Sequence, residues 1–511
     1  MKPIRLMAGF FTVGIWTMLS RILGFVRDIL IAATLGTGPI AEAFLIAFSL
    51  PNLFRRFFAE GAFNMAFVPM FSKKVEGGDD PQRFAQDAFV GLGFVLTAFT
   101  IIGMIFMPVL VMLMASGFRG DERFDLAVLY GRFAFPYILF ISLAALLSGV
   151  LNAVGRFTAA AAAPVLLNII FVAAIAYVYL AEPDPIAGDV GFALAAAVPV
   201  AGIAQLALVW FAAKNARYQL NIGRPRLTPE LKRLAIIALP AALAGGVVQI
   251  NLLVGRQVAS FFDGAIAWLS YADRLYQLPL GVVGIAIGVV LLPHLSRSLQ
   301  AGDEAGSQDA FNRACEVSLA LTIPAAVALI VIPIPLVSVL FERGAFTAAD
   351  TQATALAVAV YGLGLPAFVM QKTLQPLFFA REDTKRPFQY AVIAMILNAV
   401  IAVGLAPVIG YIAAAIGTTA TGWAMVALLW RGSRGMGSPA QFDDRFKGRI
   451  WLIVAASLGM GIMLLGLSAA LGTPSVLRVA VLVVAGIVSY FGIGHLIGAF
   501  QLGEFRRALR R

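Results

Sequence analysis

Apolar runs of about 20 residues, each long enough to cross a hydrocarbon core of about 30 Å, recur along the whole chain. Polar or Gly/Pro-containing stretches separate them. Because the runs are continuously apolar, they exclude a membrane β-barrel, whose strands alternate apolar and polar residues. The sequence therefore predicts an all-α polytopic membrane protein of about fourteen transmembrane helices, over 5–35, 43–71, 86–117, 126–153, 158–181, 189–213, 233–262, 266–296, 310–341, 350–380, 387–408, 411–431, 448–471 and 476–501.

The composition of the 511-residue chain agrees with this prediction. Apolar residues make up 60% and charged residues 13%, whereas about a quarter of an average soluble protein is charged. This excludes a soluble multidomain enzyme and a disordered chain, and the single cysteine leaves no internal disulfide. Lys2 and Arg5 precede an apolar stretch that continues to about Leu35 without a cleavage site, which predicts a retained first helix.

The 38 Lys and Arg residues outnumber the 27 Asp and Glu residues, for a net charge of +11. When both termini are placed in the cytoplasm, 26 cations fall in the termini and loops on that side and five in loops on the other. The positive-inside rule describes this asymmetry. Topology therefore explains most of the excess charge, and we expect no nucleic-acid partner.

Seven cations remain, and all of them lie inside predicted spans. A charge at the centre of a bilayer costs about 2.5–3.5 kcal/mol on insertion scales. Such side chains must face protein, water or a ligand, and so they are the main indication of function. They are Arg21, Arg27, Arg55, Arg56, Arg256, Arg274 and Lys372.

Two of these cations lie in the first span, which contains the segment 20–28. Arg21 and Asp28 are seven residues apart and share one helix face, whereas Arg27 is rotated away from Arg21. One interpretation is that Arg21 and Arg27 form a cationic wall of a water-filled cavity and that Asp28 modulates the charge of this wall. The alternative is an Arg–Asp pair that bridges two helices.

The second and eighth spans carry the next cations. Asn52 and Arg55 share a face, while Arg56 and Glu60 have the i,i+4 spacing of a structural ion pair, so Arg55 is the better ligand candidate. The segment 271–274 places Arg274 in the second half of the chain, where we expect it to face Arg55 across a cleft.

Arginines in a dehydrated cleft favour one type of substrate. Guanidinium groups form bidentate, charge-assisted hydrogen bonds with phosphate oxygens. The cleft therefore predicts an anion, such as the phosphate or diphosphate of a lipid headgroup. Arg256 and Lys372 either join this site or extend toward the membrane interface.

An internal repeat predicts two related lobes. Pro69 and Ser72 match Pro293 and Ser296 at an offset of 224, and further matches follow in order. Transporters are commonly built from such repeats, with the substrate site at the repeat interface. We therefore predict two pseudo-symmetric six-helix lobes followed by two C-terminal helices, with boundaries at 1–217, 218–431 and 432–511.

Motifs for covalent chemistry do not stand out. The sequence has no Walker motif, paired carboxylates, nucleophile–base arrangement or metal-ligand cluster. We therefore predict a protein that is not an enzyme, with no cofactor and no metal site.

Several segments resemble the MurJ (MviN) family of bacterial lipid II flippases, within the multidrug/oligosaccharidyl-lipid/polysaccharide exporter superfamily. The likeness begins with Ser-Arg-Ile-Leu-Gly-Phe-Val-Arg-Asp at 20–28, continues through 42–63, and recurs at 151–157, 271–275, 341–346 and 378–385. It implies fourteen helices, a central cationic cavity and a groove for the polyprenyl tail near the last two helices. The headgroup-contacting arginines of the family fall on Arg21, Arg27, Arg55 and Arg274.

The resemblance also implies supporting residues. Glu42 occupies a position that the family usually fills with Asp. Some relatives couple transport to a cation through a buried acid in the seventh helix, but here the nearest acid is Asp263 at the outer end of that helix, so the sodium site of those relatives is not carried over to this chain. The complete supporting set is Asp28, Glu42, Asn52, Arg56, Glu60, Asp273, Arg256 and Lys372.

The function implied by the resemblance is translocation of lipid II, the peptidoglycan precursor, from the inner to the outer leaflet of the bacterial cytoplasmic membrane by alternating access. The expected partners are lipid II, membrane lipids and the cell-wall synthesis machinery. Two alternatives stay open. One is a cation-coupled multidrug exporter, or an exporter of another polyprenyl-diphosphate oligosaccharide, from the same superfamily. The other is a non-transporting membrane scaffold, which would pair off its buried charges.

Overall fold

The structure, a computed structural model, describes residues 3–55, 62–182, 184–218 and 223–500. The described residues form helices and connecting turns, with no β-strand. This agrees with the apolar runs, because a helix satisfies its backbone hydrogen bonds within itself where no water is available. The helices of the first half are α1 (Pro3–Leu35), α2 (Pro39–Arg55), α3 (Ala62–Gly77), α4 (Pro81–Ile105), α5 (Met107–Met114), α6 (Glu122–Ala134), α7 (Tyr137–Ala153), α8 (Thr158–Ala181) and α9 (Ala187–Asn215).

The second half continues the same pattern of long apolar helices. Ten helical segments in the described part of the chain are long and apolar enough to cross a membrane. Among the residues that the structure describes, every predicted span falls on one or two α-helices, which confirms the fold class, while the count of fourteen crossings stays a prediction. These helices are α10 (Pro229–Ala259), α11 (Ala265–Gln300), α12 (Glu304–Val331), α13 (Pro333–Phe341), α14 (Ala348–Phe379), α15 (Lys385–Ile409), α16 (Ile412–Ser433), α17 (Asp444–Leu471) and α18 (Val476–Leu496).

Proline breaks two predicted spans at equivalent places in the two halves. The span 86–117 divides into α4 and α5 at Phe106, two residues before Pro108. The span 310–341 divides into α12 and α13 at Ile332, immediately before Pro333. Proline suits the first turn of a helix because its missing N–H would have no acceptor there. The recurrence of this break at an offset of 226 is a structural likeness between the halves.

Residue packing divides the chain into two compact units, which differ from the lobes predicted from the repeat. The first unit contains residues 1–267 with 343–346, and the second contains 268–342 with 347–511. The predicted boundaries at 217/218 and 431/432 describe a sequence repeat rather than packing, and they stay a prediction. Each unit has its own buried cluster: stacked phenylalanines at 67, 71 and 84 in the first, and Met460, Leu464 and Tyr490 in the second.

Large apolar side chains cover the outside of the helices. Val400 and Val408 of α15 and Leu477 and Val488 of α18 are all exposed. A soluble protein rarely leaves so many large aliphatic side chains in contact with water. The protein is therefore a multi-pass membrane protein whose outer surface contacts lipid.

Candidate arginine site and polar clusters

Arg27 is buried in the first unit, with only 5% of its surface exposed. Its Nε and Nη2 atoms donate to Oδ1 of Asp28 at 2.9 and 2.7 Å, and its Nη1 donates to Oδ1 of Asn168 at 2.9 Å. The rings of Phe48 and Phe171 lie 5.8 and 5.5 Å from the guanidinium carbon. Aromatic faces attract cations, so protein groups surround this charge and the adjacent acid neutralises it.

Asn168 of α8 completes this arrangement. Its Nδ2 atom donates to the backbone oxygen of Ser20 at 2.9 Å while its Oδ1 accepts from Arg27. The amide lies against Gly24, midway between these two contacts on α1. Asn168 therefore holds one face of α1 over two helical turns. Asn168 was not among the predicted site residues, because a buried asparagine has no functional signature in a single sequence.

Arg21 and Arg55 have different surroundings from Arg27. Arg21 is exposed on α1, and its neighbours Met18, Leu19 and Ile22 are exposed apolar side chains. Arg55 is half-buried at the end of α2, where its Nε donates to Oδ1 of Asn52 at 3.3 Å. These two arginines belong to the first unit and present more of their surface than Arg27 does. The predicted pair of Arg56 and Glu60 lies outside the described residues.

Glu42, near the beginning of α2, is the centre of a second polar cluster in the first unit. Only 1% of its surface is exposed. Oε1 accepts the backbone N–H of Ile266 at 3.0 Å, and Oε2 accepts from Arg123 Nη1 at 3.0 Å. Arg123 also pairs with Asp121 and, at 2.9 Å, with Asp263. Glu42 thus supports the packing of α2 against α6, and the structure places it in contact with protein groups.

The candidate residues of the second unit lie mainly on α11. Arg274 and Asp273 are half-buried, and Asp273 accepts a hydrogen bond from Gln277 one turn later. Lys372 is exposed on α14. Arg256, which belongs to the first unit, is half-buried in the last turn of α10.

A third cluster, absent from the predictions, joins α12 to the beginning of α17 in the second unit. Glu316 is buried and pairs with three arginines, at positions 313, 445 and 449. Arg313 also pairs with Asp443, whose backbone N–H donates to Oδ1 of Asn312 at 3.0 Å. Asp309 also pairs with Arg313, at 3.3 Å, so three arginines face three carboxylates. This balance of charge makes the cluster a structural joint rather than an anion site. Within the described ranges, no group of three or more His, Cys, Asp or Glu residues is placed to hold a metal ion.

Comparison with solved structures supports the fold. The chain is similar to a structure described as lipid II flippase MurJ in an inward closed conformation, with a TM-score of 0.79 and 26% identity over 98% of this chain and 99% of that one. It also resembles an inward-facing multidrug resistance MATE family transporter of the MOP superfamily, with a TM-score of 0.65 and 15% identity over 84% and 98% of the two chains. The second likeness concerns the fold alone.

Sequence comparison identifies the family. The chain is 43% identical to a probable lipid II flippase MurJ of Rhizobium tropici and 44% identical to that of Rhizobium meliloti, each over 99% of this chain and 97% of the relative. It is 35% identical to the lipid II flippase MurJ of Burkholderia cenocepacia over 90% of both. The sequence model of the family described as lipid II flippase MurJ matches residues 31–491. The chain therefore belongs to the MurJ family.

Proposed function

We propose that the protein translocates lipid II from the inner to the outer leaflet of the bacterial cytoplasmic membrane. Family membership supports this substrate, because the Burkholderia cenocepacia relative, which matches 90% of this chain, is named lipid II flippase MurJ. The observation that carries the proposal for the binding site is the contrast between Arg21 and Arg27 on α1. Arg27 is buried and paired with Asp28, whereas Arg21 is exposed within a helix of the membrane region.

An exposed guanidinium inside an apolar helix is costly unless water or an anion solvates it. The diphosphate of lipid II is a suitable anion, because arginine binds phosphate oxygens with two parallel hydrogen bonds. We assign direct headgroup contact to Arg21 and Arg55 of the first unit and to Arg274 of the second. Arg27 is the fourth residue of the predicted set, and its protein contacts favour a supporting role.

The proposed cycle is alternating access, in which the headgroup crosses through the protein while the polyprenyl tail stays in the bilayer. It leaves the substrate chemically unchanged, so the protein acts as a transporter and not as an enzyme. The excess of cations in alternate loops supports cytoplasmic placement of both termini. The cell-wall synthesis machinery stays a predicted partner.

The scaffold alternative expects the membrane charges to be buried in pairs. Arg27 and Asp28 meet that expectation, but Arg21 does not, because it is exposed on the same helix. A multidrug exporter would favour an aromatic, acid-lined cavity for cationic drugs. Arg21, Arg55 and Arg274 favour an anionic substrate instead.

The test is translocation of purified lipid II by the purified protein in liposomes, followed by an assay of its exposure on the opposite leaflet. Arg21→Ala should reduce the rate strongly without reducing the amount of reconstituted protein. Arg226→Ala, which removes an exposed cation from the loop between α9 and α10, is the matched control and should retain the wild-type rate. If Arg21→Ala translocates lipid II at the wild-type rate, the assignment is wrong.

A further inference from the structure

We infer that Asn168 is a positioning residue for lipid II translocation, which orients α1 so that Arg21 meets the headgroup. The inference rests on the proposed function and adds a residue that the resemblance does not supply. It also assigns different roles to the two arginines of α1: Arg27 anchors the helix and Arg21 binds the substrate.

Asn168 contacts α1 at two points, Ser20 and Arg27, and these two hydrogen bonds are called the clamp. The side chain is 4% exposed, and its amide connects the Ser20 carbonyl to the Arg27 guanidinium at 2.9 Å each. Ser20 and Arg27 are seven residues apart, close to two helical turns, so both contacts lie on one face of α1. Two fixed points on one face set both the rotation and the position of α1 against α8.

Only an amide makes this pair of contacts well. Its nitrogen donates to a carbonyl oxygen, and its oxygen accepts from a guanidinium. Aspartate would keep the acceptor for Arg27 but would place a carboxylate against the Ser20 carbonyl. Leucine would lose both bonds and leave the buried guanidinium with one acceptor fewer.

The clamp lies directly beside Arg21. Ser20 precedes Arg21 in the chain, so the bond to the Ser20 carbonyl fixes the turn of α1 from which Arg21 projects. Arg27 is buried against the rings of Phe48 and Phe171, so it anchors the other end of α1 within the protein. A change at Asn168 should therefore act on substrate binding through the orientation of Arg21.

The experiment is a double-mutant cycle read out as the Kd of purified protein for lipid II in detergent. Asn168→Asp and Asn168→Leu should each weaken binding about tenfold, whereas adding either change to Arg21→Ala should weaken binding by no more than about twofold further. Independent residues would give losses that multiply. Asn168→Ser supplies a third, smaller side chain for the same cycle.

Gln205 of α9 offers a matched control in the same unit. It is 2% exposed, its Nε2 donates to the Ala163 carbonyl at 3.0 Å, and its Oε1 accepts from the Tyr137 hydroxyl at 3.1 Å. Like Asn168, it donates to a backbone carbonyl and accepts from a side chain, but its two partners lie on α8 and α7 and not on α1. Gln205→Glu and Gln205→Leu should lower the thermal unfolding midpoint and leave the Kd of the folded protein within about twofold.

Several outcomes would overturn the inference. One is an unchanged Kd in the Asn168 variants, and another is a double variant whose loss of affinity is the product of the Asn168 and Arg21→Ala losses. An equal loss of affinity in the Gln205 variants, or failure of all three Asn168 variants to fold, would also overturn it. Failure of the proposed function has a different signature. In that case the wild-type protein would not bind lipid II, or Arg21→Ala alone would bind it normally.

Discussion

The carboxylate of Glu42 in α2 accepts the backbone N–H of Ile266 at 3.0 Å, across 224 residues of sequence. Ile266 lies in the first turn of α11, where backbone N–H groups have no acceptor within the helix. A carboxylate there satisfies one of them and interacts favourably with the positive end of the helix dipole. Because the second oxygen of Glu42 pairs with Arg123, one buried side chain serves two buried donors.

Glu42→Gln should destabilise the first unit. The amide keeps one acceptor oxygen but loses the charge that pairs with Arg123, and it brings a donor into the buried site. We expect the free energy of unfolding to fall by about 1–3 kcal/mol, measured as a lower thermal midpoint in detergent. The control is Asp263→Asn, which removes the exposed partner of Arg123 and should cost less than about 1 kcal/mol. Equal midpoints for the two variants would contradict this account.

Substitutions of the two arginines of α1 should have different effects, with Arg27 affecting the stability of the protein and Arg21 affecting transport. Arg27→Leu removes the cation paired with Asp28 and should lower the free energy of unfolding by about 3–5 kcal/mol, the range for breaking a buried ion pair. Arg21→Leu should leave the thermal midpoint unchanged, because Arg21 is exposed, but it should abolish lipid II translocation. Both midpoints can be measured on the protein samples used for transport. An Arg27→Leu variant as stable as wild type would refute the anchoring role.

Hydropathy alone predicted where the helices of the membrane region lie, because each crossing needs a long apolar run whatever the contacts around it. It did not predict the breaks at Phe106 and Ile332, since Pro108 and Pro333 lie in runs that remain apolar on both sides. A hydropathy value averaged over about 19 residues does not register that a proline lacks a backbone N–H, so it cannot locate such a break.

The sequence identified candidate arginines by residue type and position, but it did not predict their contacts. Uncompensated charge in an apolar helix indicated Arg21 and Arg27 equally. The structure distinguishes them because Asn168, 141 residues away, contacts only Arg27 of the two. Arg123 was missed for a related reason. In the sequence it counts among the five cations in loops on the non-cytoplasmic side, whereas in the folded protein it forms an ion pair with Glu42. Contacts between distant helices depend on packing, which no local pattern records.

Removal of the Glu316 carboxylate should loosen the joint between α12 and α17. Glu316 is 7% exposed and is shared by Arg313, Arg445 and Arg449. Glu316→Gln would leave three neighbouring cations with less compensating charge, and we expect a loss of about 2–4 kcal/mol. The measurement is the thermal midpoint, together with the rate of proteolysis in the segment 434–443 that precedes α17.

Asp444→Asn is the matched control for that joint. Asp444 is fully exposed and pairs only with Lys447 on its own helix among the described residues. Its replacement should change neither the midpoint nor the proteolysis rate. If Glu316→Gln behaved in the same way, the cluster would not hold the two helices together.

Gly344 and Gly120 should differ in their tolerance of alanine although they occupy corresponding turns, 224 residues apart. Both have positive φ, +59° and +85°, where a Cβ costs about 1–2 kcal/mol. At Gly120 the space around a new Cβ is open, but at Gly344 it would overlap the carbonyl oxygen of Ala33. That carbonyl accepts the N–H of Ala345 at 2.8 Å, so the clash would also disturb this bond. We therefore expect Gly344→Ala to cost about 1–3 kcal/mol more than Gly120→Ala, and equal thermal midpoints would show that the contact with α1 is not tight.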